Sequence, residues 1–167
     1  MTELLEQAIT AVKMLPSEVQ DAIASLLLSE IDDEQAWNIR FMATTDTQWD
    51  YLADKVRCSI AASKTTPLDE VFLIEKKTMK SSVTQEFREL LSQLPTEVQE
   101  QASRAYAIWR TDPYHNSLQF KRVSQRQPIY SARISIGYRT LGLLENDQIY
   151  WFWIGTHAEY DGLLRRL

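Results

Sequence analysis

The chain has 167 residues, of which 44% are hydrophobic and 25% charged, a composition typical of globular proteins and unlike that of disordered ones. Its single cysteine excludes an intrachain disulfide framework and fits a reducing compartment. No apolar run reaches the roughly 18 residues of a membrane span, and the acidic N-terminus lacks the basic region of a secretory signal. We therefore expect a cytoplasmic protein without membrane contacts.

Charge is distributed unevenly along the chain. Residues 1–78 hold 7 Lys and Arg against 14 Asp and Glu, a net charge of −7, whereas residues 79–167 hold 11 against 9, a net charge of +2. All four glycines and six of the seven tyrosines lie in the second part. The asymmetry predicts two units, 1–78 and 79–167, joined at Met79 either naturally or by engineering. A single α+β domain with uneven charge is the alternative.

The first part is predicted to be helical. Apolar spacing predicts a helix over residues 2–13, a second beginning near Pro16, and a third after an acidic turn at 32–34. Thr45 or Asp46 is the predicted N-cap of a fourth. Three large apolar side chains of the first part are either core residues or a docking face for a partner: Trp37, Phe41 and Trp49.

The residues that link the two parts are harder to assign. Residues 71–74, Val-Phe-Leu-Ile, predict an added edge strand or an extended segment on a partner surface. Residues 76–82 are polar and lack apolar periodicity, which predicts the junction.

The second part begins with two predicted helices: the first carries Val83 and Phe87 on one face, and the second opens at Leu94-Pro95. A four-stranded antiparallel sheet is then predicted, with strands near 118–123, 129–134, 138–144 and 149–154. Residues 129–134 alternate, with Tyr130, Ala132 and Ile134 on one face, whereas 149–154 are nearly all apolar, as in a central strand covered on both faces. Residues 145–148 are predicted to be a tight hairpin connection. A short helix from His157 ends the chain. The predicted fold class is α+β.

The last strand and helix have the sequence IYWFWIGTHAEYD, at residues 149–161, and Gly137-Tyr138-Arg139 stands on the strand before. This pattern resembles the RelE/ParE superfamily of bacterial toxins, and the HigB-type members most. The resemblance implies a RelE-like domain that cleaves mRNA, often on the ribosome, without a metal or another cofactor. Glu159 and Asp161 depart from the basic C-terminal segment that RelE-type members usually carry.

The resemblance also implies a partner. The acidic helical part resembles the antitoxin that accompanies such toxins, so the chain would be a type II toxin–antitoxin module in one polypeptide. Residues 1–78 would cover the toxin domain, pairing their negative charge with its basic groove. A homo-oligomer is left open.

RNA cleavage of this kind uses the 2′-hydroxyl as nucleophile and needs a base, an acid and cations beside the phosphoryl oxygens. The predicted catalytic residues are His157, Tyr160, Arg139 and Arg133, because histidine titrates near neutral pH and arginine matches phosphate geometry. Three roles are open for Tyr160: base, acid, or stacking on a nucleobase. The predicted RNA-binding residues are Lys121, Arg122 and Arg126. Lys121 and Arg122 point to opposite faces of a strand, so only one can share a surface with Arg133 and Arg139. Lys121 is the better candidate.

Each candidate also has an ordinary structural interpretation. His157 can be interpreted as a strand cap, Tyr160 as a ring packed on the sheet, and the arginines as outward-facing strand residues. Two other functions remain: a ParE-like toxin that inhibits DNA gyrase without catalysis, and an inert interaction domain that kept the fold and lost the chemistry.

Overall fold

The computed structural model describes residues 1–72 and 80–167. The chain divides into two compact units, Met1–Asn38 and Ile39–Leu167. This division differs from the compositional boundary at 78/79, because residues 39–72 belong to the same compact unit as the predicted sheet. Neither described range contains a helix long and apolar enough to cross a membrane.

Two helices contribute to the first unit. Helix α1 spans Glu3–Lys13 and begins at the N-cap Thr2; helix α2 spans Ser17–Ala43. The side chain of Gln20 donates hydrogen bonds to the carbonyls of Lys13 and Leu15 and so fixes the turn between the helices. The predicted break at 32–34 is wrong: α2 runs through it, because Asp and Glu remove no backbone donor as proline would.

The second unit contains five further helices and six strands within the described ranges. The helices are α3 (Asp46–Ala61), α4 (Leu68–Phe72), α5 (Gln85–Gln93), α6 (Thr96–Thr111) and α7 (His157–Arg165). The strands are β1 (Thr65–Pro67), β2 (Ser81–Thr84), β3 (Lys121–Arg122), β4 (Ile129–Ser135), β5 (Tyr138–Glu145) and β6 (Gln148–Gly155). Thr45 caps α3 through a capping box, as predicted.

The strands form one mixed sheet in the order β1-β2-β6-β5-β4-β3. Strand β2 runs parallel to β6, and the other neighbours are antiparallel. The α+β class and the antiparallel meander are confirmed. The predicted count of four strands is wrong, because the described residues form a six-stranded sheet. Strands β1 and β2 were missed because they are only three and four residues long and lack apolar alternation.

Several local predictions around the junction are also corrected. Val71 and Phe72 belong to helix α4 and not to a strand, while residues 73 and 74 lie outside the described residues. Of the predicted polar junction, 76–79 lie outside the described residues, and Ser81 and Ser82 are buried in β2. Val83 is also in β2, so its predicted helical face is wrong.

The first predicted strand is shorter than expected. Residues Asn116–Leu118 form a 3₁₀ turn, Gln119 has a φ of 43°, and β3 spans only Lys121–Arg122. A left-handed residue interrupts the extended backbone that the apolar alternation predicted.

One face of the sheet carries the main apolar core, which includes Trp151, Tyr106, Phe87 and Leu68. Ala132 and Ile134 of β4 point into this core, with Tyr130 packed against it, as their alternation predicted. The ring of Phe72 stacks on Tyr106 at a centroid distance of 4.8 Å. Residues from α4 therefore complete a core otherwise built by residues 83–154.

The β5–β6 hairpin is set by its turn. Asn146 and Asp147 have φ values of 51° and 59°, the left-handed pair that a two-residue type I′ turn requires. Asparagine and aspartate tolerate this conformation better than other non-glycine residues. The hairpin predicted at 145–148 is confirmed.

Candidate functional site

The candidate residues gather on the sheet face opposite the main core. In the register of the sheet, Arg133 lies opposite Arg139, and Lys121 lies opposite Ser131. Directly opposed residues of antiparallel strands share a face. Lys121, Ser131, Arg133 and Arg139 therefore stand on one side of the sheet, here called the arginine face. Arg122 is opposite Tyr130, on the other side, which agrees with the preference for Lys121.

Arg139 is completely buried in this face. Its Nη1 donates to the hydroxyl of Ser131 at 3.2 Å, and its Nη2 donates to Oε1 of Gln119 at 2.9 Å. These bonds orient the guanidinium within the fold. Arg133 and Lys121 are only half-buried, so they are the more accessible cations of the arginine face.

His157 follows directly from the end of β6. Gly155 lies opposite Arg139, Thr156 is the N-cap of α7, and His157 is the first helical residue. A Cβ at position 155 would come within 2.8 Å of the Trp153 ring and would also collide with the Glu159 carboxylate. A glycine is therefore required here, and the Gly-Thr-His sequence brings a half-buried histidine to the end of the arginine face.

Tyr160 is buried between aromatic rings, not open to solvent. Its ring makes edge contacts with Phe41 and Trp153 at centroid distances of 5.4 and 5.5 Å. Its hydroxyl lies 2.6 Å from Oγ1 of Thr44, which itself donates to the carbonyl of Arg40. Because the Thr44 hydroxyl uses its only proton in the bond to Arg40, the Tyr160 hydroxyl is the donor in its bond with Thr44.

The environment of Tyr160 keeps the phenol protonated. Burial is the largest cause of its raised pKa, the hydrogen bond with Thr44 lowers the pKa in part, and the nearby Asp161 carboxylate raises it further. A phenol in this state is a hydrogen-bond donor and not a proton acceptor. Of the chemical roles predicted for Tyr160, only those that use its proton or its ring fit this geometry.

Residues upstream of position 79 contact the helix α7 that carries Tyr160. Arg40 forms a forked ion pair with Asp161, with Nε–Oδ1 and Nη2–Oδ2 distances of 3.0 and 3.2 Å. Phe41 also contacts Trp49 of α3. The segment from Arg40 to Arg57, here called the cover, therefore contacts the helix that carries His157 and Tyr160.

The cover also binds the loops at the ends of the strands. Asp50 pairs with Arg126 at 3.0 Å and accepts from Gln127 at 2.7 Å. Arg57 pairs with Glu145 at 3.0 Å and donates to Gln127 at 2.9 Å. Arg126, a predicted RNA contact, is thus held by a carboxylate of the upstream part.

Arg122 serves its own loop. Its guanidinium donates to the carbonyls of Ser124 and Gln125, and its side chain lies on the exposed surface of the unit. Its RNA-binding role stays a prediction, as do the roles of the other candidates. The structure groups Lys121, Arg133, Arg139 and His157 at one end of the arginine face and leaves Arg122 away from it.

Sequence reasoning missed the residues that hold the cover. Thr44, Arg40 and Gln119 were not singled out, and the Asp161 carboxylate was interpreted only as diluting the positive field. Nothing in their sequence neighbourhood signals a partner more than 100 residues away, as Tyr160 is for Thr44. Over residues 1–72 and 80–167, no group of three or more His, Cys, Asp or Glu side chains could hold a metal ion.

A cavity of about 190 Å³ lies beside the cover, between α3, α5, α7 and β6. Its walls are mainly apolar and include Leu52, Val56, Leu90 and Phe152. None of the predicted site residues lines it, but Trp153, whose ring contacts Tyr160, does.

Comparison with known proteins gives one family match. Residues 96–162 match the model of the ParE-like toxin domain. The match covers α6, the meander β3–β6 and the first turns of α7, including every predicted site residue. No curated protein matches the sequence.

Solved structures of toxins resemble the chain weakly. A RelB–RelE antitoxin–toxin complex from Methanococcus jannaschii shares 15% identity over 48% of this chain and 95% of that one, with a TM-score of 0.41. A RelE–RelB complex from Pyrococcus horikoshii OT3 shares 14% over 45% and 90%, with a TM-score of 0.38. A copper-bound mutant toxin from Helicobacter pylori shares 16% over 49% and 98%, with a TM-score of 0.37.

Proposed function

We propose that the chain is a type II toxin–antitoxin module in one polypeptide, with a metal-independent endoribonuclease domain in residues 79–167 and an antitoxin part in residues 1–78. The match of residues 96–162 to a ParE-like toxin domain supports the toxin part. The observation that carries the proposal is the burial of Tyr160 against Thr44, because a predicted catalytic residue is held by the predicted inhibitor.

The chemistry would run on groups of the arginine face. His157 takes the proton of the ribose 2′-hydroxyl, whose oxygen attacks the adjacent phosphorus, and the bond from phosphorus to the 5′-oxygen breaks. Arg133 and Arg139 stabilise the charge on the phosphoryl oxygens. Tyr160 supplies the proton of its hydroxyl to the departing 5′-oxygen once Thr44 has released that hydroxyl. Lys121 and Arg126 bind the neighbouring phosphates.

The cover accounts for inhibition. In the intact chain, Thr44 holds the phenol of Tyr160, Asp50 neutralises Arg126, and Arg40 pairs with the Asp161 side chain next to Tyr160. RNA would engage Tyr160 and Arg126 only when these contacts open. The partners are then mRNA and, from the family resemblance, the ribosome; the proposed location is the cytoplasm, and no cofactor is needed.

The test uses a chain that folds intact and is then cut. A protease site is inserted in the exposed turn at residues 62–64, between α3 and β1, so that cleavage leaves β1 and α4 attached to the sheet. The fragment 65–167 is separated in about 1 M salt with roughly 2 M urea, which screen the ion pairs of the cover and weaken its apolar contacts, and is then returned to buffer. We expect it to cleave RNA in a translating extract, whereas the uncut chain does not.

Histidine variants give the matched control. His157→Ala in the cut protein should abolish cleavage, while His115→Ala should leave it unchanged, because His115 bonds within its own loop to Ser117. Equal cleavage by both variants would remove the catalytic assignment of His157.

A second function has one specific observation in its favour. The matched family model is the ParE-like one, and Tyr160 is packed as a structural residue. A gyrase inhibitor of the ParE type would supply no RNA cleavage after cutting and would instead block DNA supercoiling by purified gyrase. If the cut protein affects neither RNA nor gyrase, an inert interaction domain is the remaining interpretation.

A further inference from the structure

The cavity beside the cover has apolar walls that come from distant stretches of the chain. Helix α3 supplies one side, and α5, β6 and α7 supply the others, through six apolar residues: Leu52, Val56, Leu90, Phe152, Trp153 and Leu163. Leu52, Val56, Phe152 and Trp153 are buried, so packing fixes most of the wall. An apolar cavity of about 150 Å³ is large enough to bind benzene. The volume here, about 190 Å³, therefore suits one aromatic ring with a small substituent.

One buried polar side chain, Thr84, also lines the cavity. Its Oγ1 accepts from the backbone N–H of Phe87 at 3.2 Å and so caps α5. A threonine hydroxyl that accepts one hydrogen bond still has a proton to donate. Over residues 1–72 and 80–167 this hydroxyl has no second partner. A ligand with a carbonyl or hydroxyl oxygen can accept that proton.

The charged side chains that line the cavity balance one another. Lys55 and Arg166 are positive, and Glu86 and Glu89 are negative. Lys55, Glu89 and Arg166 are exposed, which puts most of the charge on the solvent side of the cavity. A charged ligand entering the apolar part would lose its hydration without gaining a net counter-charge, and that loss is costly. The lining therefore favours an uncharged ligand over an acid or an amine.

We propose that this cavity is a binding site for a small uncharged aromatic molecule that carries one oxygen able to accept a hydrogen bond. Because α3 forms one wall and α5, β6 and α7 form the others, such a molecule binds only while α3 is packed against them. Its binding then stabilises that packing. Trp153 joins the cavity to Tyr160, whose ring it contacts at a centroid distance of 5.5 Å.

A consequence for inhibition rests on the proposed function. A bound ring would hold α3 against the toxin domain and so oppose the release of RNA cleavage. The binding itself does not depend on that function, because it is measured on the intact chain without RNA. Absence of binding would leave the test with the cut protein unaffected.

The first test is calorimetric titration of the full chain with acetophenone. We expect a dissociation constant of roughly 0.1–1 mM, in the range for a ligand of about nine non-hydrogen atoms. Benzoate has nearly the same size but carries a charge, and it should bind at least about tenfold more weakly. No binding of acetophenone at about 10 mM, or tighter binding of benzoate, overturns the proposal.

The hydrogen bond is tested with ethylbenzene, which has nearly the shape of acetophenone and no acceptor. Thr84→Val should weaken acetophenone binding roughly fivefold, as expected for one hydrogen bond, and leave ethylbenzene binding unchanged. The comparison removes the effect of losing the α5 cap, because that effect is common to both ligands. Equal effects on the two ligands would contradict the role of Thr84 as donor.

Variants that fill the cavity locate the site. Leu90→Trp and Leu163→Trp each add an indole to the cavity from a different helix and should raise the acetophenone dissociation constant about tenfold or more. Ile108→Trp adds the same side chain at an exposed position of α6 and should leave the constant unchanged. Circular dichroism checks that each variant is folded. If both filling variants bind acetophenone as the parent does, this cavity is not the site.

Hydrogen exchange tests the link to α3. With acetophenone at ten times its dissociation constant, exchange in residues 46–61 should slow about tenfold, because the bound ring opposes the opening of α3. The exposed residues 114–117, which do not line the cavity, should exchange at an unchanged rate. Binding without slower exchange in residues 46–61 would refute the link.

Discussion

The two stretches of the upstream part that belong to the second unit contact the sheet in different ways. Residues 65–72 are built into the fold: β1 pairs with β2, Leu68 is fully buried, and Asp69 pairs at 2.9 Å with Arg110, which is itself buried. The cover, Arg40 to Arg57, adds half-exposed ion pairs to its buried apolar contacts.

The difference teaches that the change in composition near residue 78 does not coincide with a change in packing. Arg110 also donates to Ser81 of β2, so one buried guanidinium joins α4, α6 and the sheet. Residues 80–167 expressed alone would leave this guanidinium without the Asp69 carboxylate, and burying a charge without its partner is costly. The ion pairs of the cover, by contrast, are half-exposed, so water can replace them, and its attachment depends on buried apolar contacts such as those of Phe41 and Trp49.

The largest effect should follow from breaking the buried pair. Asp69→Ala should lower the free energy of unfolding by about 3 kcal/mol, because Arg110 keeps its buried charge and loses a counter-ion. Urea denaturation followed by tryptophan fluorescence measures it. Glu70→Ala, at the exposed neighbouring position, is the control and should change little. Equal effects of the two substitutions would contradict the distinction between the two stretches.

An intermediate effect should come from the link between the cover and α7. Thr44→Val removes the acceptor of the buried Tyr160 hydroxyl and should cost about 1–2 kcal/mol. Hydrogen exchange should then rise in residues 40–57. Thr140→Val is a matched control on the other face. The Thr140 hydroxyl donates to the carbonyl of Trp153, so it accepts from the buried Tyr106 hydroxyl at 2.7 Å. Faster exchange of the cover in the control as well would show that the Thr44 bond has no specific part in holding it.

The smallest effect should come from the half-exposed pair of the cover. Arg57→Ala removes the contacts with Glu145 and Gln127 and should lower stability by less than about 1 kcal/mol at low salt. The loss should shrink as salt screens the pair in the parent protein. Arg104→Ala, at an exposed position of α6, gives the baseline for removing an arginine. If Arg57→Ala lowered the free energy of unfolding as much as Asp69→Ala, the Arg57 pair would be as important to the fold as the buried Asp69–Arg110 pair, and the distinction would fail.

Much of the fold could be predicted from sequence because the signals were local. The signals were the alternation in 129–134, the apolar run at 149–154, the Asn146-Asp147 turn and the Thr45 cap. Each acts through neighbouring residues, and each prediction is confirmed. The failures at 32–34, at 71–72 and in β1 and β2 concern short or mixed segments. Their conformation depends on what they pack against, which the sequence of the segment does not contain.

The candidate site divides in the same way. Strand alternation and the order of the strands were enough to predict that Arg133, Arg139 and Lys121 share a face, because register follows from the hairpin turns. The burial of Arg139 and the bond from Tyr160 to Thr44 could not be predicted, since their partners come from other elements.

The sequence by itself determined the α+β class, the antiparallel meander, the terminal helix at His157 and the polarity of its two parts, because each is encoded in periodicity, turn residues or charge. Only the tertiary structure decided that residues 39–72 share a unit with the sheet, that Asp69 neutralises Arg110, and that Tyr160 is held by Thr44. These contacts join residues far apart in the chain, and they form only when packing brings the groups together and excludes water from between them.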